Sequence, residues 1–167
     1  MYRRLDDFLE QWRQLTAGTQ KMLDALTDAS LAQPVADDHR TLGRIAWHLA
    51  QTIPEMLAKT GLAPKGPAED EPVPTSASAI AAAYREASAS LVEQVRERWD
   101  DATLDVEDDM YGSKWKRGFT LTALVEHEIH HDGQMTVLMR QAGLRPPGIY
   151  GPAKEDWSKM GMEPPAI

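Results

Sequence analysis

Apolar residues recur every three or four positions in four stretches of this chain, and polar residues fill the positions between them. An α-helix turns by about 100° per residue, so this spacing gathers the apolar side chains on one face of a helix. The pattern predicts amphipathic helices over residues 4–26, 41–56, 76–99 and 121–140. Four such helices, with no convincing strand between them, predict an all-α fold and specifically a four-helix bundle.

Capping and breaking residues mark the ends of these helices. Thr41 and Thr120 are suited to cap the second and fourth helices, because a threonine oxygen accepts a hydrogen bond from a free N–H of the first turn. Gly143 is a natural stop for the fourth helix, and Pro54 is expected to kink or end the second. Trp47 points away from the apolar face of the second helix and is predicted at a rim or an interface.

The connecting stretches differ in composition. Residues 61–75 are rich in proline and glycine, which predicts a long, exposed connection between the second and third helices that could cross the bundle from end to end. Residues 100–118 are predicted as a solvated loop, because their acidic run lacks the D-x-D-x-D-G spacing of a calcium-binding loop. The C-terminal tail carries large apolar groups, so we expect it to pack on the bundle, with a short helix at residues 153–159.

Length and composition fit a single domain over residues 1–167, with 42% hydrophobic and 26% charged residues. The net charge of −8 opposes binding to nucleic acid or to an anionic membrane surface, since both need a basic face. No apolar run approaches the roughly 20 residues of a membrane span. The start of the chain is too polar for a signal peptide, so we expect a cytoplasmic protein.

The chain has no cysteine. This composition excludes disulfides, thiolate-bound zinc, iron–sulfur clusters and a cysteine nucleophile. Any thiol chemistry would therefore use a thiol that the substrate brings.

The fourth predicted helix concentrates the candidate chemistry. His131 falls within its apolar face and His127 lies at the edge of that face, so the two imidazoles project side by side, four residues apart. His130 points about a quarter turn further away and is the weakest candidate of the three. On the second helix, His48 takes the same edge position that His127 takes on the fourth. Each histidine alone is more simply a packed core residue.

Taken together, these histidines predict a metal site. Helix bundles build such sites in the core from side chains on facing helices. His48, His127 and His131 would form a three-histidine site that leaves coordination positions open for water or substrate, as catalytic sites do. Zinc and nickel both suit three imidazoles, and the sequence does not choose between them.

The motifs resemble those of the DinB-like superfamily over nearly the whole chain. The resemblance rests on W-H-L-A at residues 47–50, H-E-I-H-H-D-G-Q at residues 127–134 and A-G-L-R-P-P at residues 142–147. It implies a metal-binding four-helix bundle, often dimeric, whose ligands match His48, His127 and His131 by position. Asp132 stands where the family commonly has an arginine, so a basic group at that position is not carried over.

The resemblance also implies an activity. Characterised relatives are metal-dependent transferases or isomerases that use a low-molecular-weight thiol such as bacillithiol, mycothiol or glutathione. We therefore expect a metal-dependent thiol S-transferase or a related isomerase that acts on a small-molecule substrate as a homodimer. Tyr150 and Trp157 are aromatic residues of the tail and are candidates for substrate binding at a pocket mouth.

Two other functions stay open. Residues 127–131 also satisfy the H-E-x-x-H motif of zinc peptidases, in which Glu128 would activate a water molecule. The longer form of that motif fails at Gln134 and Val137. Glu128 lies within the apolar face, and would alternatively orient a histidine, act as a general base or pair across a dimer interface. The third possibility is a bundle that binds a metal or another ligand without catalysis.

Overall fold

The computed structural model of this protein describes residues 1–166. Its helices pack in the cyclic order α1, α3, α2, α4, because α1 and α2 each contact both α3 and α4. The fold is the predicted all-α bundle, formed by α1 (Leu5–Asp24), α2 (Leu42–Ala58), α3 (Ala77–Arg98) and α4 (Arg117–Gln141).

The core runs along the middle of the bundle and consists of the apolar faces that the sequence predicted. Burial of one large apolar side chain contributes about 1.5–3 kcal/mol, so these faces supply most of the drive for packing. Side chains from all four helices are almost wholly excluded from solvent, among them Phe8, Trp12, Ile45, Ile53, Ile80, Leu91, Leu121 and Met135.

The second helix begins where the sequence predicted. The hydroxyl oxygen of Thr41 accepts a hydrogen bond from the backbone N–H of Arg44 at 3.2 Å. Pro54 lies inside the helix, which nevertheless continues to Ala58. One lost backbone bond is outweighed here because Ile53, Met56 and Leu57 around it are buried in the core.

The fourth helix and the segment before it differ from the prediction. Strands β1 (Glu107–Met110) and β2 (Ser113–Lys116) form an antiparallel hairpin, where we expected a solvated loop and no strand. Its turn residues Tyr111 and Gly112 both have positive φ, as the tight turn of a hairpin requires. The acid-rich sequence of β1 has little strand propensity, which is why the pattern did not show it.

This hairpin leads directly into α4. The backbone N–H of Arg117 donates to the carbonyl of Val106 at 2.9 Å, which fixes the helix start one turn earlier than predicted. The prediction that Thr120 is the N-cap is therefore wrong, and Thr120 is buried within the first turns. Gly143 adopts a positive φ of 77° just after the helix ends, as expected of a stop residue.

The long connection between α2 and α3 is tied to α2 by two buried side chains. The amide of Gln51 donates to the carbonyls of Ala68 at 2.6 Å and Glu69 at 3.1 Å. The indole N–H of Trp47 donates to the carbonyl of Glu71 at 3.0 Å. Trp47 is thus buried under this connection and is not the rim residue that the helical period predicted.

The C-terminal tail packs on the bundle, as predicted. Ile149 lies so close to α1 that a Cβ added at Gly18 would be 3.1 Å from its Cγ2 atom. The Arg140 guanidinium of α4 makes a bidentate ion pair with Glu155 at 2.5 and 2.7 Å. Two 3₁₀ turns, Lys154–Asp156 and Ser158–Met160, replace the predicted short helix. No helix within residues 1–166 is both long and apolar enough to cross a membrane.

Candidate metal centre

Three imidazoles converge between α2 and α4. The Nε2 atom of His127 lies 3.1 Å from Nε2 of His48 and 3.1 Å from Nε2 of His131. One ligand atom from each residue falls within 4.8 Å of the other two. The structure therefore brings together the three histidines that the sequence singled out, two from one turn of α4 and one from the facing helix α2.

The geometry of these nitrogens fits a divalent metal ion. Zinc–nitrogen bonds of about 2.0–2.1 Å at a tetrahedral angle place ligand nitrogens about 3.3 Å apart, close to the observed 3.1 Å. Without a cation, hydrogen bonds among the three imidazoles cannot satisfy all of these nitrogens. His127 Nε2 can donate to only one of its two neighbours at a time, because a neutral imidazole carries one N–H.

The outer nitrogen of His131 is held by a neighbour on the same helix. His131 Nδ1 lies 2.7 Å from the amide oxygen of Gln134, one turn further along α4. A donated Nδ1–H leaves the lone pair on Nε2, which is the nitrogen that faces His127. Gln134 thereby sets the tautomer that a metal ligand needs, and sequence reasoning did not identify this role.

Burial keeps all three imidazoles neutral. Desolvation, and then the neighbouring imidazoles, lower the pKa of His48 to about 4 and the pKa of His127 to about 4. Desolvation also lowers the pKa of His131. Neutral imidazoles have the lone pairs that a metal ion requires. His48 and His127 are only half-buried, so the cluster remains accessible from solvent.

His130 lies outside the cluster. It is exposed, and its ring meets the ring of His131 edge-on at 5.1 Å between centroids. The sequence ranked it as the weakest of the three histidines of α4, and the structure agrees.

Glu128 and Asp132 form a separate acidic cluster on the side of α4 that faces α1 and α3. The phenol of Tyr84 donates to Glu128 Oε1. The hydroxyl of Thr19 lies 2.7 Å from the same oxygen and 3.0 Å from Asp132 Oδ2. All four residues are buried. Sequence reasoning found Glu128 in the apolar face and noted Asp132 only as a departure from the family pattern, and it did not predict that the four residues meet. A threonine in the apolar face of α1 was the available signal.

At least one of these two carboxyl groups holds a proton at neutral pH. Desolvation raises the pKa of Glu128 to about 7. Desolvation, followed by the charge of Glu128, raises the pKa of Asp132 to about 8. The two hydroxyl donors, Thr19 and Tyr84, cannot compensate two buried negative charges, since each supplies a single O–H.

The other predicted site residues lie elsewhere. Glu128 makes no contact with the outer nitrogen of His127, whose Nδ1 is buried without a hydrogen-bond partner among residues 1–166. Tyr150 is 64% exposed and lines a shallow groove with Gln14 and Leu15 of α1. Trp157 is partly exposed between the two 3₁₀ turns of the tail. Substrate binding by Tyr150 and Trp157 stays a prediction.

The fold and the site define a class: a four-helix bundle with a three-histidine group between its second and fourth helices. The model of the DinB family matches residues 1–165. The chain belongs to this family. The resemblance noted in the sequence is thereby confirmed.

Relatives extend over most or all of the chain. The uncharacterized protein YrdA of Bacillus subtilis strain 168 is 48% identical over 167 residues, which is 100% of both chains. The crystal structure of a DinB-like protein from Bacillus cereus ATCC 10987 is also 48% identical, with a TM-score of 0.87, and the match covers 90% of this chain and 100% of that one. The DinB-like protein YjoA of Bacillus subtilis shares the fold at 20% identity and a TM-score of 0.64, covering 82% of this chain and 92% of that one.

Proposed function

We propose that this protein binds a divalent zinc or nickel ion through His48, His127 and His131 and acts as a metal-dependent thiol S-transferase or a related isomerase. The observation that carries the proposal is the convergence of three imidazoles that are accessible from solvent: His127 Nε2 lies 3.1 Å from Nε2 of His48 and of His131, and one ligand atom of each residue is within 4.8 Å of the other two. Membership of the DinB family, whose members bind metals, supports it.

When bound, the ion would supply a positive charge that stabilises the thiolate of a low-molecular-weight thiol at neutral pH. Residues of the chain would bind the ion: the three neutral imidazoles offer it their lone pairs, and Gln134 fixes the tautomer of His131 that keeps its lone pair on Nε2. The thiolate sulfur would then form a bond to an electrophilic carbon of the second substrate. In a substitution, that carbon loses a leaving group. In an addition, the product takes up the proton that the thiol gave up.

The composition agrees with this chemistry. The chain has no cysteine, so the reacting sulfur comes from the cosubstrate and cannot be confused with a protein nucleophile. A net charge of −8 favours a small-molecule substrate over nucleic acid or an anionic membrane. We extend the proposal to a homodimer, which the family resemblance implies and light scattering in solution would test.

The position of Glu128 counts against the hydrolase alternative. A general base must come within hydrogen-bond reach of the water it activates. Glu128 is 1% exposed, and its carboxyl group is bonded to Tyr84 and Thr19 on the side of α4 that faces α3 and α1. It does not face the three Nε2 atoms, so the H-E-x-x-H pattern lacks its base here.

The test combines metal analysis with a thiol assay. We expect about one zinc or nickel ion per chain in tag-free wild type, loss of that ion in His131→Ala, and retention in His130→Ala as a matched control on the same turn. The wild type should then conjugate a low-molecular-weight thiol to an electrophile, and His131→Ala should not. Conjugation that survives in His131→Ala would overturn the transferase. A full metal load with no conjugation would favour a binding protein without catalysis.

A further inference from the structure

The outward face of α4 carries large apolar residues that this chain does not cover. Phe119, Ile129 and Val137 are 39%, 37% and 57% exposed, whereas α1, α2 and α3, all within residues 1–166, expose no large apolar residue. At 100° per residue, the three side chains project within about 40° of the direction of Gly133 and so share one face. The opposite face of α4 lies in the core. A helix that is apolar on two sides is expected to be buried on two sides, which indicates that a partner contacts this face.

Gly133 lies at the centre of this face, and nothing in the described chain requires glycine there. It has no positive φ, and a glycine in the middle of a helix costs about 1 kcal/mol relative to alanine. The other glycines of the bundle helices, Gly18, Gly43 and Gly118, each have a neighbouring atom no more than 3.1 Å from the position of an added Cβ. At Gly133, no atom of residues 1–166 beyond its own stretch of helix comes within 4 Å of that position. A missing side chain here suits the close approach of another backbone.

The residues of this face are arranged symmetrically about Gly133. Ile129 and Val137 lie four residues before and after it, and Glu126 and Arg140 lie seven residues before and after it. All of them are exposed. When two copies of a helix cross antiparallel on a two-fold axis at Gly133, each residue faces the one that lies equally far on the other side of the axis. Ile129 then faces the partner's Val137, which pairs apolar residues on both sides of the axis, as a two-fold interface requires.

The charges on this face match a second copy of the chain in the same antiparallel orientation. Glu126 takes part in none of the ion pairs found within residues 1–166. The antiparallel crossing places it opposite the partner's Arg140, whereas a parallel crossing would place two Glu126 carboxylates together. Arg140 binds Glu155 through Nη1 and Nη2, and its guanidinium has five N–H donors, so donors remain for a second carboxylate.

The tail provides a place for an apolar side chain of the second copy. Val137 lines a groove of about 340 Å³ between α4 and the tail, together with Thr136, Pro147 and Ile149. The two-fold crossing brings the partner's Ile129 opposite Val137 and therefore to this groove. Both copies would fill one such groove, because the arrangement is symmetric.

We propose that the outward face of α4 is the interface of a two-fold homodimer, in which two α4 helices cross antiparallel at Gly133. This inference rests on the homodimer of the proposed function and adds its contact surface and its geometry. It does not depend on the metal chemistry. His127 and His131 project more than 100° away from the direction of Gly133, toward α2, so the metal ligands lie outside the helix–helix contact.

Disulfide trapping tests this geometry directly. The chain has no cysteine, so any disulfide joins thiols that were introduced. The variants are Gly133→Cys, Ile129→Cys, Val137→Cys, the double variant Ile129→Cys/Val137→Cys, and the control Ala82→Cys at an exposed position of α3. Each full-length protein is oxidised with diamide at low protein concentration. Linked dimers are followed over time on non-reducing gels, and mass spectrometry identifies the joined peptides.

We expect Gly133→Cys to form linked dimers roughly tenfold faster than Ala82→Cys, because the crossing brings the two Cα atoms within the reach of a disulfide, about 4.4–6.8 Å. Ile129→Cys alone and Val137→Cys alone should react no faster than the control, since eight residues of helix separate the two equivalent positions by about 12 Å. The double variant should link quickly, and its disulfides should join position 129 of one copy to position 137 of the other.

Light scattering supplies a second measurement without oxidation. Val137→Glu should raise the dissociation constant of the dimer by at least about tenfold, because a carboxylate is then buried against an apolar residue of the partner. Val35→Glu is the matched control, since Val35 is a similarly exposed valine in a loop. Circular dichroism checks that both variants remain folded.

The possible failures are distinguishable. A dimeric wild type in which Gly133→Cys reacts no faster than Ala82→Cys, and in which Val137→Glu has no effect, would overturn this interface and leave the homodimer. Rapid linking of Ile129→Cys alone would overturn the antiparallel crossing at Gly133. A monomeric wild type would overturn this interface together with the homodimer. Loss of metal binding or of thiol conjugation would overturn the proposed chemistry and leave the interface standing.

Discussion

Helix α4 carries two pairs of polar residues that are offset by one position along the chain. The two pairs face different neighbouring helices. His127 and His131 face α2 and meet His48 there. Glu128 and Asp132 are each the next residue along the chain, yet they turn toward α1 and α3 and meet Thr19 and Tyr84. A rotation of about 100° per residue separates the two pairs.

The comparison shows how one physical effect gives two outcomes. Burial disfavours charge, so it lowers the pKa of the imidazoles and raises the pKa of the carboxyl groups. Both pairs are therefore held largely uncharged. The histidine pair stays accessible to solvent, and its neutral imidazoles carry lone pairs that a cation can accept. The acidic pair is closed off by two hydroxyl donors and has no solvent access. We infer that the histidine pair is available to a ligand and that the acidic pair contributes to the packing of the bundle.

The largest effect is expected from substitutions at the adjacent residues His127 and Glu128, which belong to different clusters. His127→Ala should lower metal affinity by more than about a hundredfold, because it removes the central ligand of the cluster. Glu128→Gln should keep a full metal load, since that side chain points to the other side. Elemental analysis of both tag-free variants gives the result. Metal loss in Glu128→Gln with the fold retained would show that the two clusters are not separate.

The next effect concerns the hydrogen bond behind His131. Gln134→Ala should weaken metal binding by about 10–100-fold, because the imidazole loses the acceptor that fixes its tautomer. Competition titration with a chelator measures the affinity, and Gln141→Ala at the exposed end of α4 is the control. Nitrogen-15 shifts of the metal-free protein should show that His131 no longer holds its proton mainly on Nδ1. An unchanged tautomer and affinity would contradict the role of Gln134.

A third variant probes the acidic cluster alone. Tyr84→Phe should reduce the free energy of unfolding by about 1–3 kcal/mol, because buried Glu128 loses a donor and keeps its desolvation cost. Chemical denaturation measures this loss, and metal stoichiometry should not change. Tyr2→Phe is the matched control: its hydroxyl bonds exposed Gln11 at 2.6 Å, and its removal should cost little. A reduced metal load in Tyr84→Phe would contradict the separation of the clusters.

The smallest effect is an opposite pH response of the two clusters in metal-free protein. The carboxyl pKa values of Glu128 and Asp132 are raised from 4.5 and 3.8 to about 7 and about 8, so their contribution to stability is full at low pH and is lost as the pH rises through these values. The pKa values of His48 and His127 are lowered from 6.5 to about 4, so their contribution is full above pH 6.5 and is lost as the pH falls to about 4.

Asp132→Asn separates the two responses. The loss of stability between pH 5 and pH 8 should shrink by about 1–2 kcal/mol, because only one carboxyl then remains to ionise in the core. The loss between pH 6 and pH 4 should become larger, because Asp132 no longer offsets the effect of the histidines there: the contribution of a carboxyl raised from 3.8 to about 8 also changes across this interval. Thermal unfolding across this pH range, with a chelator present, measures both limbs. A change in stability between pH 5 and pH 8 that is the same in wild type and in Asp132→Asn would contradict the raised pKa of Asp132.

The sequence alone was sufficient for the helices and for the three histidines. Apolar spacing predicted α1 and α3 to within two residues at each end, because a buried face imposes its period on the whole element. His48, His127 and His131 were identifiable as candidate ligands because residues that share a site on facing helices follow the same geometry of faces. The hairpin was not predicted, since its acid-rich first strand is stabilised by pairing and by its link to α4, and both are non-local.

Tertiary structure decided the surroundings of those residues. Trp47 was expected at a rim, but the connection between α2 and α3 covers it, and no local pattern reveals where a long connection lies. The partners of Glu128 are 109 residues away at Thr19 and 44 residues away at Tyr84. The helical period predicts only that the carboxyl group of Glu128 points inward. Which donors contact it depends on how the other helices are arranged around α4. The sequence determined which faces are buried, and the packing of those faces decided which polar groups became partners and which stayed accessible to a ligand.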